Sequence, residues 1–461
     1  MRLHDRQNAC GPVASAPAMS IPWFARRKPL SLRTNISWTV LGNTVYATAQ
    51  WAMLMILAKL GSPEMVGQFA LGLAVTAPLI TLANLQARTI LATDAKCEYS
   101  FGDYLGLRLV TTLLALTLII GVALLGGYRL GTALVIIAVA IAKSFESISD
   151  VYFGLLQQHE RMDRIAVSMV IKGLLSLVGL GLGVFVLGSV LWGAVGVAIA
   201  WALVLVGYDI PTSTSVLVTA SPSFQGREQK GLRSPGSLGP TWDLEAMKKL
   251  AWLALPLGFT TMLVSLNANI PRYLVERYLG ERELGIFAAM AYLMVAGSTL
   301  INAMGQSASP RLARYYARGD RVAFRTLLIK LGGIGALLGG LGVLVVALAG
   351  REILTLLYRA EYAQHLDVLV WLMVAGTLSF LTSFLGFGMT AARYFKIQVP
   401  LGVAVVCATA LACGLLVSRN GLLGAAQGIT ISLLLNLIGA LFINLHALRT
   451  LSSLNPAGAA R

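Results

Sequence analysis

Twelve stretches of this chain are apolar over roughly the 20 residues that a helix needs to cross a bilayer, and no other feature constrains its fold so strongly. In the first half they span 35–58, 65–86, 105–126, 131–153, 165–187 and 191–208. In the second half they span 250–271, 284–305, 326–349, 367–390, 397–418 and 422–446. The expected fold is an all-α polytopic membrane protein of twelve transmembrane helices. Composition agrees: 57% of residues are hydrophobic and 12% charged, where a soluble domain carries about 25% charged residues. Such a surface does not suit a soluble enzyme. The chain is also too apolar to be read as a nucleic-acid binder, despite 36 Lys and Arg against 20 Asp and Glu. Glycines crowd some spans (Gly332, Gly333, Gly335, Gly339, Gly340 and Gly342 in one of them), as close helix packing in lipid requires.

The spans fall into two groups of six. Residues 35–208 form an expected N-lobe and 248–449 a C-lobe, joined by a flexible linker over 209–247. Pro211, Pro222, Pro235 and Pro240, with many Ser and Gly between them, mark that linker. Residues 1–34 read as a disordered tail, with no apolar core of signal-peptide length, and 450–461 as a C-terminal tail. Whether translation starts at Met1 or Met19 stays open. The lobes repeat one another. Leu60-Gly61-Ser62-Pro63-Glu64-Met65-Val66-Gly67 recurs as Leu279-Gly280-Glu281-Arg282-Glu283-Leu284-Gly285 with one residue deleted. Gly102-Asp103 recurs as Gly319-Asp320, Arg164-Ile165 as Lys396-Ile397, and Leu191-Trp192-Gly193-Ala194 as Leu422-Leu423-Gly424-Ala425, in the same order. Six helices per lobe is an even number, so the repeats are parallel, an architecture of transporters.

The positive charges report topology. With the N-terminus in the cytoplasm, 24 of the 36 Lys and Arg fall in cytoplasmic segments. Eight fall outside (Lys59, Arg129, Arg272, Arg277, Arg282, Arg351, Arg359, Arg419), and Arg108, Lys143, Lys172 and Lys330 lie within spans. That bias fits the positive-inside rule and puts both termini in the cytoplasm.

Polar residues form stripes. Asn35, Thr39, Asn43, Tyr46 and Gln50 share one face of the first helix, and Thr261, Ser265, Asn269 and Arg272 one face of the repeat-related seventh. The second helix adds Thr81, Asn84 and Arg88, and the eighth adds Ser298, Asn302 and Gln306. Polar groups facing lipid cost free energy, so these stripes face protein or water. Inter-helix hydrogen bonding is one reading; a shared polar cavity is the other, favoured because the stripes occur on symmetry-related helices. The candidate cavity set is Asn43, Tyr46, Gln50, Asn84, Arg88, Lys172, Ser265, Asn269, Arg272, Asn302 and Gln306. No carboxylate lies between the ends of helices one, two, seven and eight, so the cavity is cationic and invites an anion. Arginine suits phosphate through its planar fork of donors.

Lys143, Glu146 and Asp150 share one face of the fourth helix. Such groups are either functional or a self-paired ladder near the helix end. The four histidines lie in tails, loops or helix ends, so no intramembrane histidine proton relay is visible. Four cysteines give no CxxC pair and no Cys/His cluster. There is no Walker loop, HExxH or GxSxG, and the loops assigned outside are short. Neither a metal nor another cofactor is implied.

The stretch 60–71, Gln157-Gln158-His159-Glu160-Arg161-Met162-Asp163, Asn269-Ile270-Pro271-Arg272-Tyr273 and Ser309-Pro310-Arg311-Leu312-Ala313 together resemble bacterial oligosaccharide flippases. These form the polysaccharide-transport branch of the MOP exporter superfamily, with a MATE-like fold and O-antigen flippases among them, and the resemblance runs from about residue 33 to 450. It implies two lobes that rock between inward- and outward-open states in the bacterial inner membrane. The implied cargo is a polyprenyl-pyrophosphate-linked oligosaccharide, as in lipopolysaccharide assembly, moved without catalysis. It further implies coupling to H+ or Na+, for which Glu146 and Asp150, with Lys143 beside them, are the candidates, and leaves glycan assembly proteins open as partners. Two alternatives stay open: a multidrug antiporter of the same superfamily, disfavoured by the missing carboxylate on helix one, and a membrane-embedded glycan polymerase or ligase, disfavoured by the short outside loops. A scaffold within a glycan assembly complex has no positive sign.

Overall fold

The computed structural model describes residues 32–94, 98–220 and 239–454. Among them every regular element is a helix. The α-helices are α1 (Leu32–Leu60), α2 (Pro63–Asn84), α3 (Ala87–Thr93), α4 (Phe101–Leu125), α5 (Leu130–Gln158), α6 (Met162–Phe185), α7 (Val190–Val204) and α8 (Ile210–Ala220). They continue as α9 (Leu244–Leu279), α10 (Glu281–Ala317), α11 (Arg321–Leu357), α12 (Leu366–Ala391) and α13 (Phe395–Leu454). A π-helical turn at Leu205–Asp209 joins α7 to α8.

Ten helical runs among the described residues are long and apolar enough to cross a membrane. One of them holds α13, which breaks at Gly421 (φ 60°, ψ −137°) into two helices. α10 adds a further 37-residue helix outside the ten. These helices are consistent with the twelve expected spans, and the protein is a multi-pass membrane protein. The outer face of α4 shows the solvent it is built for: Leu113, Leu114, Leu118 and Leu125 are all more than half exposed, a stripe that lipid covers and water would not tolerate.

The sixth helix runs past its expected end. Residues 209–220, assigned from the sequence to a flexible linker, continue the helix through the π turn into α8. Pro211 is tolerated because it is the second residue of α8, where the π turn has already interrupted the regular hydrogen-bond ladder. The linker's other end is also partly helical, since α9 begins at Leu244. At the two ends of the chain, α1 begins at Leu32 and α13 reaches Leu454, each a few residues into the expected tails. Residues 1–31, 95–97, 221–238 and 455–461, which hold most of the expected tails and the middle of the linker, lie outside the described residues.

Two compact units divide the chain: Met1–Met53 with Val75–Met262, and Leu54–Ala74 with Leu263–Arg461. In the first unit, Leu85, Ala87, Leu91, Tyr104, Leu107, Val151 and Leu155 form a core that also takes in Met247, Leu250 and Ala254 of α9. Gly179 and Gly183 of α6 lie directly on the backbone of Gly196 and Gly193 of α7, so that any β-carbon there would overlap it. Ser100 and Asp103 cap α4 reciprocally. The Thr241 amide donates to the Gly102 carbonyl (3.0 Å) and its hydroxyl to Asp103, pinning the segment before α9 to the start of α4. In the second unit, Ile301, Ala308, Leu312, Phe324, Leu328, Leu331, Phe384, Ala391 and Leu448 pack as a core.

Candidate functional site

The first unit gathers charge around α5. Its one-face spacing puts Lys143 and Glu146 within 2.7 Å of each other, and the Tyr46 hydroxyl of α1 donates to the same carboxylate at 2.6 Å. The Lys143 ammonium lies 5.0 Å from the centre of the Trp201 ring.

Asp150, one turn further, receives two guanidinium groups. Arg88 approaches one oxygen at 3.2 Å and Arg108 the other at 3.4 Å. Arg88 reaches α5 because the chain breaks between α2 and α3: Leu85 and Gln86 take left-handed backbone conformations, φ 48° and 52°. α3 then lies so close to Gly154 that a β-carbon there would sit 3.2 Å from the Arg88 Cα. Arg88 Nε also donates to Gln157 Oε1 at 3.1 Å. Arg108, 1% exposed, donates to Asn84 Oδ1, which also accepts the Ser147 hydroxyl at 2.8 Å.

A second pair lies nearby and is fully enclosed. Lys172 of α6 is 2% exposed and Asp209 of the π turn 0%. Lys172 Nζ meets Asp209 Oδ2 at 2.8 Å, and the Ser168 hydroxyl donates to Oδ1 at 2.5 Å. Trp201 Nε1 donates to Ser176 (2.7 Å), whose hydroxyl donates to the Lys172 carbonyl (2.6 Å). Arg88 and Lys172 both lie over Phe153, at 5.5 and 4.7 Å from the ring centre. Around Phe153 and α5, four cations (Arg88, Arg108, Lys143, Lys172) therefore face three carboxylates (Glu146, Asp150, Asp209).

In the second unit the α9 stripe ends on a cation. Asn269 is buried, its amide donates to the Ser265 carbonyl at 2.8 Å, and its Oδ1 accepts Arg272 Nη1 at 2.9 Å. Arg272 is half-buried and makes no ion pair among the described residues.

These contacts sort the residues singled out from the sequence. Tyr46, Asn84, Arg88, Lys143, Glu146 and Asp150 join in the α5 cluster, and Ser265, Asn269 and Arg272 in a second group. Asn43 is exposed, and its amide donates to the Thr39 carbonyl of its own helix at 2.8 Å. Gln50 is half-buried, its Nε2 unpartnered among the described residues, while Asn302 and Gln306 are exposed. Lys172 is corrected: it does not line a cavity but is buried against Asp209. Arg88 shares its charge with Asp150. Two members were missed, Arg108 and Asp209. The signal for Asp209 was Lys172 itself, because an ammonium inside an apolar helix demands a counter-charge.

The family model described as "Polysaccharide biosynthesis protein" matches residues 32–316. The chain belongs to that family. It is 27% identical over 409 residues to the capsular polysaccharide biosynthesis protein CapF of Staphylococcus aureus, covering 88% of this chain and 97% of that one. In fold it is similar to an inward-facing multidrug resistance MATE family transporter of the MOP superfamily (TM-score 0.67, 15% identity, 91% of this chain and 99% of that one). It is similar too to the lipid II flippase MurJ in an inward closed conformation (TM-score 0.65, 11% identity, 90% of this chain and 91% of that one). The expected membership of a polysaccharide family holds, and so does the expected likeness to the MATE fold.

Proposed function

We propose that the protein is a flippase for lipid-linked saccharides, moving an oligosaccharide on a polyprenyl pyrophosphate by alternating access for surface polysaccharide export. The observation that carries the reading is charge. Among the described residues Arg272 has no ion pair, and the α5 cluster holds one more cation than it has carboxylates. Unneutralised positive charge inside a membrane protein is stabilised by an anionic cargo, and a guanidinium matches a phosphate by two parallel hydrogen bonds. Tyr46, Asn84, Ser265 and Asn269 are hydroxyls and amides suited to sugars, and apolar outer faces such as that of α4 suit a long lipid tail. Family membership and the likeness in fold to a lipid II flippase support the same reading.

The remaining assignments follow from it. The charge bias supports an orientation with both termini in the cytoplasm, and family membership supports a bacterial inner membrane. Glu146, ringed by Lys143 and Tyr46, and Asp150 are the groups through which H+ or Na+ would couple. Glycan assembly proteins are further partners.

Arg272→Ala and Arg88→Ala are expected to abolish glycan export while leaving the protein in the membrane at normal level. Full export by both variants would refute the anion-binding reading. Export of cationic drugs in place of glycan would favour the multidrug antiporter.

A further inference from the structure

The two halves of the chain repeat one another, and at one turn they part company in charge. An offset of 217 residues pairs Gly102-Asp103 with Gly319-Asp320. Around the second pair lie Arg311, Arg314, Arg318, Arg321 and Arg325. Their counterparts at that offset are Asp94, Cys97, Phe101, Tyr104 and Arg108, so one arginine stands against five. Arg108 is enclosed, whereas all five arginines of the second unit are exposed. None of the five makes an ion pair among the described residues. Asp320, the one carboxylate between Arg311 and Arg325, is engaged in capping α11, where it accepts the Ala323 amide at 2.9 Å.

The turn that carries these arginines has a defined geometry. Gly319 takes a left-handed φ of 72°, and the Asp320 amide donates to the Tyr315 carbonyl at 3.0 Å. The Tyr316 and Phe324 rings meet edge-on at 5.7 Å, joining the end of α10 to the start of α11. By their spacing Arg311, Arg314 and Arg318 share one face of α10, and Arg321 and Arg325 one face of α11. Cover differs between the repeats as well. In the first unit Thr241 lies on Gly102 and Gly106, where a β-carbon would overlap it, and Leu105 is 4% exposed. Val322, the counterpart of Leu105, is 76% exposed, and Ile329, one turn after Arg325, is 60% exposed.

Guanidinium groups bordering bare apolar side chains, at the start of an apolar span, suit the headgroup level of a bilayer. Topology alone is recorded by lysine as well as by arginine. All five residues here are arginine, whose planar fork of donors matches a phosphate. We propose that the α10–α11 turn is a binding surface for anionic phospholipid headgroups. Arg321 and Arg325 hold the lipid phosphate, and Val322 and Ile329 lie against its acyl chains. The surface needs no cargo and stands apart from the flippase reading.

The test uses the full-length protein purified in detergent micelles, with phosphatidylglycerol and phosphatidylcholine of equal chain length as probes. Native mass spectrometry reads how much of each lipid is retained. The wild type is expected to retain phosphatidylglycerol in preference to phosphatidylcholine. Arg321→Gln with Arg325→Gln should weaken phosphatidylglycerol binding about thirtyfold, which is about fivefold per charge. Arg321→Lys with Arg325→Lys should keep part of the preference, because the charge remains and the fork is lost. Lys248→Gln with Lys249→Gln removes two exposed charges at the start of α9 and should leave binding unchanged. Equal losses in the Arg321–Arg325 and Lys248–Lys249 variants would overturn the proposal. So would a wild type without preference for phosphatidylglycerol, a result that needs no variant to fold. A surface that retains polyprenyl pyrophosphate but not phosphatidylglycerol would overturn it in favour of the cargo.

Discussion

Removing one partner of the Lys172–Asp209 pair is the most informative perturbation of the first unit. The pair has almost no access to solvent, at 2% and 0% exposure, and its atoms lie 2.8 Å apart. Asp209→Asn keeps the side-chain shape and leaves an ammonium buried without a counter-charge. Breaking a buried pair in this way costs about 3–5 kcal/mol, whereas exchanging both partners for apolar residues is often neutral. The double variant Lys172→Met with Asp209→Leu still leaves the Ser168 hydroxyl without its acceptor, a loss of about 1 kcal/mol. The double variant should therefore be about 2–4 kcal/mol more stable than Asp209→Asn alone. Unfolding in mixed detergent–SDS micelles measures it, and Trp201 is a built-in reporter through its hydrogen bond to Ser176, which bonds the Lys172 carbonyl. Single variants that each cost about 1 kcal/mol or less and add without coupling would refute a charged, enclosed pair.

Two further outcomes are expected. Gly183→Val should cost about 1–3 kcal/mol in the same unfolding assay, because its side chain would meet the Gly193 backbone, while Gly181→Ala, with nothing near its β-carbon, should be neutral or slightly stabilising. Arg272→Lys keeps the charge but loses the planar fork, so glycan export should fall about tenfold rather than vanish; export equal to wild type would argue against bidentate phosphate binding at that position.

The apolar spans were legible because bilayer thickness imposes a length that few other structures share. The face of α5 was legible for a similar reason: Lys143 and Glu146 are three apart, a spacing that a helix turns into contact. Other parts carry no mark in the chain. The bond from Arg88 to Asp150 depends on Leu85 and Gln86 adopting left-handed conformations, which residues of those types rarely do. Asp209 was hidden by Pro211, whose usual meaning as a helix terminator was overridden by the π turn before it. Only packing reveals that Arg108 shares Asp150 with Arg88. The repeat is visible in the chain, but the meeting of its two copies at Gly67 and Gly285 comes from tertiary packing alone.

Purified protein reconstituted into liposomes carrying a fluorescent polyprenyl-pyrophosphate-linked oligosaccharide in one leaflet tests the central claim most directly. Quenching by a membrane-impermeant reductant reads how fast the labelled headgroup reaches the opposite leaflet. Translocation by the wild type that is lost in Arg272→Ala is the result predicted here. A folded wild type that moves the labelled lipid no faster than empty liposomes, with or without an imposed H+ or Na+ gradient, would contradict it.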